Sequence, residues 1–269
     1  MARKTRLDQA LVERGLAPNL DQAQRLVMAG QVRIDDQLAV KPDTPVTPEA
    51  ELLVAAPPRY VSRGGNKLEA ALAQFRIEVQ GTVAVDVGAS TGGFTDCLLQ
   101  HGAARVYAID SGTGQLHWKL RQDERVVVME RTNARYLEAL PEPVFLVCVD
   151  ASFISLKVLL PAIAGWLGRN GGLVALVKPQ FEARPAQVEA GGVVQDPAVH
   201  HQVLLAVVQA AQAAGFGVRG WLRSPLIGPK GNAEFFIHGI YGQVGEDVES
   251  LLGQWPAIGT HVGTDNRQG

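Results

Sequence analysis

The chain has 269 residues, 46% of them hydrophobic and 19% charged, enough to bury one large core beside a smaller one. Its apolar runs are too short for the roughly 18 residues that span a bilayer: Val203–Val208 breaks at Gln209 and Leu173–Val177 at Lys178. The start, Arg3-Lys4-Thr5-Arg6, is basic but leads into Asp8, Gln9 and Glu13 rather than an apolar signal core, so a cytoplasmic protein is expected.

The net charge of -2 divides unevenly. Residues 1–67 hold ten Lys/Arg against eight Asp/Glu, giving +2 and leaving -4 for the remainder, a distribution suited to a polyanion held at one end. Leu7, Ala10 and Leu11 define a helical face that Gly15 stops; Asn19 is placed to cap a second helix, with Ala23, Leu26 and Val27 as its buried stripe and Gly30 as its end. Val32–Ile34 and Leu38–Val40 alternate around Asp35-Asp36 as a hairpin, and 51–55 reads as a third strand. Residues 1–58 are therefore expected as a small α+β domain, 59–65 as a linker released by Gly64-Gly65, 66–255 as the main domain and 256–269 as an unstructured tail.

The main domain opens with a helix over Asn66–Phe75 that carries Lys67 in its first turn. Strands follow near 82–87, 105–109, 125–129, 144–149, 172–177, 216–222 and 233–240, with helical stretches between most of them, including one over 197–214. Such alternation predicts a Rossmann-like α/β fold with a mostly parallel seven-stranded sheet. The connection 179–196 reads either as a flap or as a disordered surface segment. Cys97 and Cys148 sit in apolar stretches without metal-ligand spacing and are expected as reduced core residues, and no metal site is expected.

The strand Val83–Val87 runs into Gly88-Ala89-Ser90-Thr91-Gly92-Gly93-Phe94, and Asp110 ends the next strand, 22 residues after Gly88. Glycines allow a tight turn and close ligand approach, while an acid at that distance accepts hydrogen bonds from ribose hydroxyls. The loop is GxxxGG, without the GxGxxG or Gly-Lys-Ser/Thr spacing that cradles phosphates, which favours a ribose-bearing, phosphate-free ligand. Asp150 and Lys178 each close an apolar run and are expected as neighbours at the carboxyl ends of adjacent strands, with Lys67 and Glu234 delivered to the same crevice. From Asp150 and Lys178 alone, a structural ion pair at the sheet rim is an equal alternative.

Residues 5–55, through "RLDQALVERGLA", "A..LV.AG.V.I" and "KPDTPV", resemble the S4 RNA-binding domain. That resemblance implies that Arg3, Lys4, Arg6, Arg14, Arg25 and Arg33 face RNA phosphates; Asn19-Leu20 stands where the family usually has Ser-Arg, and Asp35-Asp36 where it has Asn-Gly. "DVGASTGGF" with "AIDSGTGQL" resembles the cofactor motifs of class I methyltransferases of the FtsJ-like branch. The implied cofactor is S-adenosyl-L-methionine, held by Asp86, Gly88, Ala89, Ser90, Gly92, Gly93, Phe94, Asp110 and Asp150, with Asn133 in "ERTNAR" where the family places an adenine contact. The branch's Lys-Asp-Lys-Glu tetrad matches Lys67 in "SRGGNKLE", Asp150 in "CVDASFISL", Lys178 in "LVKPQFE" and Glu234 in "GNAEFFIH".

An S4 domain joined to such a domain resembles the TlyA family, bacterial enzymes that methylate the cytidine 2'-hydroxyl in ribosomal RNA and are sometimes labelled haemolysins. The resemblance implies a monomeric enzyme whose partners are ribosomal RNA or ribosomal subunits. Lys178 is assigned beside the hydroxyl, Asp150 holding it and facing the sulfonium, and Lys67 with Glu234 fixing the ribose; the sequence leaves open which residue takes the proton. Two competing readings are a non-catalytic ribosome-binding or assembly factor, in which the tetrad would decay, and a membrane-active haemolysin, which needs a spanning or cationic amphipathic segment.

Overall fold

A computed structural model describes residues 4–56 and 58–253; Arg3 and the tail expected over 256–269 lie outside the described residues. The chain divides into two compact units, Met1–Arg59 and Tyr60–Gly269.

The first unit runs through β1 (Thr5–Arg6), α1 (Leu7–Glu13), α2 (Leu20–Met28), β2 (Val32–Ile34), β3 (Gln37–Ala39), β4 (Pro45–Val46) and β5 (Leu52–Val54). Leu7, Leu11, Ala23, Val27 and Val32 form its core, and the Asn19 side chain caps α2 by accepting from the Gln22 amide at 2.9 Å. Strand β2 lies between β3 and β5, while β1 pairs with β4, a contact too short to leave a periodic signal. The hairpin turns on Asp35 (φ 46°) and Asp36 (φ 65°), both left-handed, which is the turn geometry Asn-Gly would supply; Asp tolerates it, and the Asp35 carboxylate also accepts from the Glu51 amide at 2.9 Å.

Several cations expected at RNA are engaged within this unit. The exposed Arg14 donates its guanidinium to the carbonyls of Thr47 (3.0 Å), Pro48 (3.0 Å) and Ala50 (2.5 Å), making it a clasp on the turn before β5. Arg6 pairs with buried Asp8 at 2.7 Å, Arg25 pairs with Asp21 along α2, and Arg33 donates to the Asp36 carbonyl at 2.7 Å. Lys4 is exposed.

The second unit begins by overturning the expected linker. Tyr60 is buried, the Val61 amide donates to Asp96 Oδ2 at 2.9 Å, and Gly64-Gly65 form the first turn of α3 (Gly64–Phe75). The glycine pair serves packing rather than release, because a Cβ on Gly65 would run into the Tyr60 ring. The chain continues as β6 (Val83–Val87), α4 (Gly93–Gln100), β7 (Arg105–Ile109), α5 (Trp118–Arg121), β8 (Val126–Met129), β9 (Val144–Val149), α6 (Leu156–Trp166) and β10 (Leu167–Val177). It ends through α7 (Pro179–Glu182), α8 (Pro197–Ala213), β11 (Phe216–Arg223), β12 (Phe235–Tyr241) and α9 (Val248–Leu252).

The strands form one seven-stranded sheet, β11-β12-β10-β9-β6-β7-β8, parallel except that β12 runs antiparallel to both its neighbours. Alternate strand residues feed two cores. Val85, Val147, Leu173 and Ile237 pack with Leu160 of α6 and Leu204 of α8, while Ala84, Leu146, Val174 and Phe236 pack with Leu68 of α3 and Leu98 of α4. The chain starts this sheet at β6, proceeds outward through β7 and β8, and returns to β9 on the other side; β6 and β9 stay paired to Val87 and Val149, and the connections that leave their carboxyl ends run to opposite sides and leave a crevice between them. The 179–196 connection is tied down: the Asn232 amide group accepts from the Val194 amide and donates to the Gly192 carbonyl, each at 2.9 Å, and His200 Nε2 lies 2.7 Å from the Val194 carbonyl.

Candidate active site

The crevice holds a cavity of about 570 Å³ lined by Val87, Ile109 and Leu159 on its apolar side and by Asp110, Asn133 and Asp150 among its polar groups. The tight turn at Gly88 (φ 84°) brings its Cα against the Asp150 backbone, where a Cβ would lie 2.8 Å from the Asp150 carbonyl oxygen. Asp110 accepts from the Ser90 amide at 2.8 Å and from the Gly112 amide at 2.7 Å, which fixes its carboxylate at the crevice wall. Asn133 lines the cavity while its side chain caps the following turn, accepting from the Arg135 amide at 3.0 Å. The sequence reading missed Gly112, Gln115 and Thr132 along this wall; only their place after β7 and β8 marked them, since their residue types are ordinary.

A second cavity, about 270 Å³, adjoins the first and shares Gly88, Ser90, Asp150 and Ser152 with it. Lys67, Asp150 and Lys178 line it, with Asp86, Ala89 and Phe94 also at its wall. The topology explains the convergence. Lys178 ends β10 beside β9, which Asp150 ends; Glu234 precedes β12, whose Phe235 pairs with Val177, so its antiparallel start lies at the same edge. Lys67 arrives from the first turn of α3.

The four side chains form two ion pairs: Lys67 Nζ to Glu234 Oε2 at 2.5 Å and Lys178 Nζ to Asp150 Oδ1 at 2.7 Å. Lys178 also donates to Ser152 Oγ at 2.9 Å. Lys67, Lys178 and Glu234 are only 7%, 9% and 2% exposed, so these charges persist by mutual compensation rather than by hydration. Beneath them Asp86 Oδ2 accepts from Thr95 N and Oγ1 at 2.9 and 2.7 Å, while Oδ1 is buried without a partner. Burial pushes the Asp86 carboxyl up to about 7, opposed by the Thr95 bonds and reinforced by the charge of Asp150.

Two expected cofactor glycines stand elsewhere. Gly92 (φ 100°) does not line either cavity; a Cβ there would meet Leu116 and Leu120, so it seats α4 against that packing. Gly93 reaches the edge of the smaller cavity, but its missing side chain is required by contact with Ser62, Gly64 and Gly65. Ser62 and Arg63, read as linker, line the smaller cavity with Ser152 and Pro229.

Within the described residues, no Lys, Arg or His lines the larger cavity, whereas Asp110 and Asp150 do and the orphan Asp86 Oδ1 lies beneath its neighbour. Such walls disfavour phosphate and fit a ligand with ribose hydroxyls, an apolar base and positive charge, so the residues present fit S-adenosylmethionine. No group of three or more potential metal ligands occurs among the described residues, and no described helix is long and apolar enough to cross a membrane.

A Rossmann-like sheet with a crevice of about 570 Å³ beside a paired Lys-Asp-Lys-Glu cluster is the architecture of a methyltransferase of the class that uses S-adenosylmethionine. Residues 60–241 match the FtsJ-like methyltransferase model and residues 5–52 the S4 domain model, and the chain belongs to the FtsJ-like methyltransferase family. Its relatives include the 16S/23S rRNA (cytidine-2'-O)-methyltransferase TlyA of Mycobacterium tuberculosis, 52% identical over 88% of this chain and 90% of that protein. YqxC of Bacillus subtilis, provisionally named an rRNA methyltransferase, is 45% identical over 93% of this chain and 90% of its own length. A solved Streptococcus thermophilus chain carrying a provisional hemolysin name is 42% identical, with a TM-score of 0.71 covering 94% of this chain and 96% of that one.

Proposed function

We propose that this protein transfers a methyl group from S-adenosylmethionine to the 2'-hydroxyl of a cytidine in ribosomal RNA, with Lys67, Asp150, Lys178 and Glu234 as the transfer machinery and Asp86, Asp110 and Asn133 among the cofactor contacts. The observation that carries the reading is the pairing of two buried lysines with Glu234 and Asp150, both lysines and Asp150 lining a chamber that adjoins the larger crevice. The substrate in the relative's name agrees with it.

Bound S-adenosylmethionine supplies an electrophilic methyl on a sulfonium, whose positive charge suits the carboxylate-rich wall of Asp86 and Asp150. Lys67, fixed by Glu234, holds the target ribose against the smaller cavity. Lys178, steadied by Asp150 Oδ1 and Ser152 Oγ, orients the hydroxyl so that one oxygen lone pair faces the methyl carbon. As that oxygen bonds to carbon its proton becomes acidic, and Lys178 Nζ is the group placed beside it as the proton departs to water.

Lys178→Arg tests the assignment, because a guanidinium keeps the charge but neither accepts a proton nor reproduces the compact ammonium geometry. Single-turnover methylation of ribosomal RNA from cells lacking the enzyme should fall by about 100-fold or more, with S-adenosylmethionine affinity little changed. A structural Asp150–Lys178 pair predicts the opposite: near-normal activity in the Arg variant and a lower melting temperature in Lys178→Ala. Mapping of ribose 2'-O-methylation on that RNA, with and without enzyme, identifies the product; absence of any new 2'-O-methyl cytidine would refute the proposed reaction.

A further inference from the structure

We infer that Glu182 is a positioning residue for the transfer, latching the loop that carries Asp150 to the loop that carries Lys178; the inference rests on the function proposed above. Glu182 ends α7, four residues after Lys178, and lines neither cavity. Its side chain is only 2% exposed, an expensive place for a carboxylate unless hydrogen bonds hold it. Both oxygens are engaged: Oε2 accepts from Ser155 Oγ at 2.6 Å, Oε1 accepts from the Leu156 amide at 2.5 Å, and Lys157 Nζ lies 3.7 Å from Oε2. Burial raises the carboxyl above its usual range, opposed by these bonds.

Ser155 and Leu156 close the short loop that begins at Asp150 and ends at α6, so Glu182 grips one end of the segment whose other end Lys178 grips through Asp150 and Ser152. Between these grips the Phe153 and Phe181 rings meet with centroids 5.1 Å apart. The two loops are thus joined at three levels, 150 and 152 with 178, 153 with 181, and 155 and 156 with 182. The middle level needs the outer ones. Phe153 lines the larger cavity, is 91% exposed and has φ 63°, a left-handed conformation that is unfavourable for a bulky residue and persists only where its surroundings impose it.

A simple helix cap does not account for Glu182, because α6 already has one: Ser155 Oγ accepts from the Lys157 amide at 3.3 Å. What Glu182 adds is a link between two catalytic loops. Displacement of Asp150 or Lys178 by a fraction of an ångström affects in-line transfer far more than it affects cofactor binding, since misplacement of 1 Å costs on the order of 100-fold.

Glu182→Ala should lower the single-turnover rate at saturating S-adenosylmethionine and ribosomal RNA by roughly 10-fold or more per folded molecule, with the cofactor Kd within about 3-fold of wild type. Glu182→Gln should retain the rate within about 3-fold, because its carbonyl accepts from the Leu156 amide while its NH2 donates to Ser155 Oγ. Ser155→Ala removes one bond from the opposite side and should slow transfer measurably even where Glu182→Ala fails to fold. A purely stabilising Glu182 lowers the melting temperature of the Ala variant and leaves its corrected rate at wild type; that result, a Gln variant as slow as Ala, or a wild-type rate in Ser155→Ala overturns the inference. Wild-type enzyme that forms no 2'-O-methyl product defeats the proposed function itself and this inference with it, a result distinct from normal product formation by an unaffected variant.

Discussion

Asp86 shows how a single buried group links stability, ligand charge and pH. Its carboxyl rises from an ordinary 3.8 to about 7, chiefly through burial, with Oδ1 lacking a partner. A folded-state value above the unfolded one means that the contribution is fully present below pH 3.8 and is lost as pH climbs to about 7, where folding requires a bare charge to be buried. Melting temperatures of wild type and Asp86→Asn should therefore diverge between pH 4 and 7, the variant gaining on the wild type as pH rises. A cationic ligand in the crevice favours the ionised form, so wild-type affinity for S-adenosylmethionine should strengthen over the upper part of that window while that of Asp86→Asn stays flat. Parallel profiles for the two proteins would remove Asp86 from both roles. Asp110→Ala should weaken the same ligand by about 1–3 kcal/mol, the loss for a hydrogen bond to a charged acceptor, as measured by calorimetry on folded protein.

At the level of elements, glycines fix how helices meet the sheet and each other. Gly93 at the start of α4 touches Gly64 and Gly65 at the start of α3, and a methyl group there would overlap backbone atoms that have nowhere to move. Gly93→Ala should lower the melting temperature and weaken cofactor binding together, because Lys67 and the Gly88–Phe94 turn are positioned by that helix contact; normal values of both would show that the helices can separate freely. Gly165 in α6 is the converse. A Cβ there meets nothing within 4 Å, so Gly165→Ala should raise stability by about 0.5–1 kcal/mol through helix propensity alone, read from denaturant midpoints.

Across the whole molecule, the two compact units have separate cores, the smaller built around Leu7, Leu11 and Val27 and the larger on both faces of the seven-stranded sheet. Deleting residues 1–59 should leave S-adenosylmethionine binding intact and abolish methylation of ribosomal RNA if, as the proposed function requires, the S4 unit meets the RNA phosphates that position the substrate. Binding of RNA by the full chain should weaken steeply with salt. A truncated protein that modified its site at the normal rate would give the S4 unit another role. With Arg14 clasping carbonyls, Arg6 bound to Asp8 and Arg33 to the Asp36 carbonyl, the exposed Lys4 is better placed to meet phosphates, and Arg14→Ala should cost stability more than RNA affinity.

The sequence by itself predicted a mostly parallel seven-stranded sheet, since short apolar runs separated by helical stretches are local patterns that tertiary contacts here reinforce. It also brought out the four charged residues, because strand ends such as Asp150 and Lys178 are visible as the points where apolar runs stop. The tertiary structure alone decided what small and connecting residues do. Gly65 looks like part of a flexible linker and Gly92 like a cofactor-contact glycine in the sequence, yet each is fixed by a neighbour across a turn or farther along the chain, Tyr60 and Leu120 respectively. Arg14 looks like any surface cation until the 47–50 turn arrives beside it, and Glu182 looks solvated until α6 buries it. The reason is one of range: periodicity and strand termini are written within a few residues, whereas a missing side chain or a polar group's partner is set by whichever distant segment folds against it.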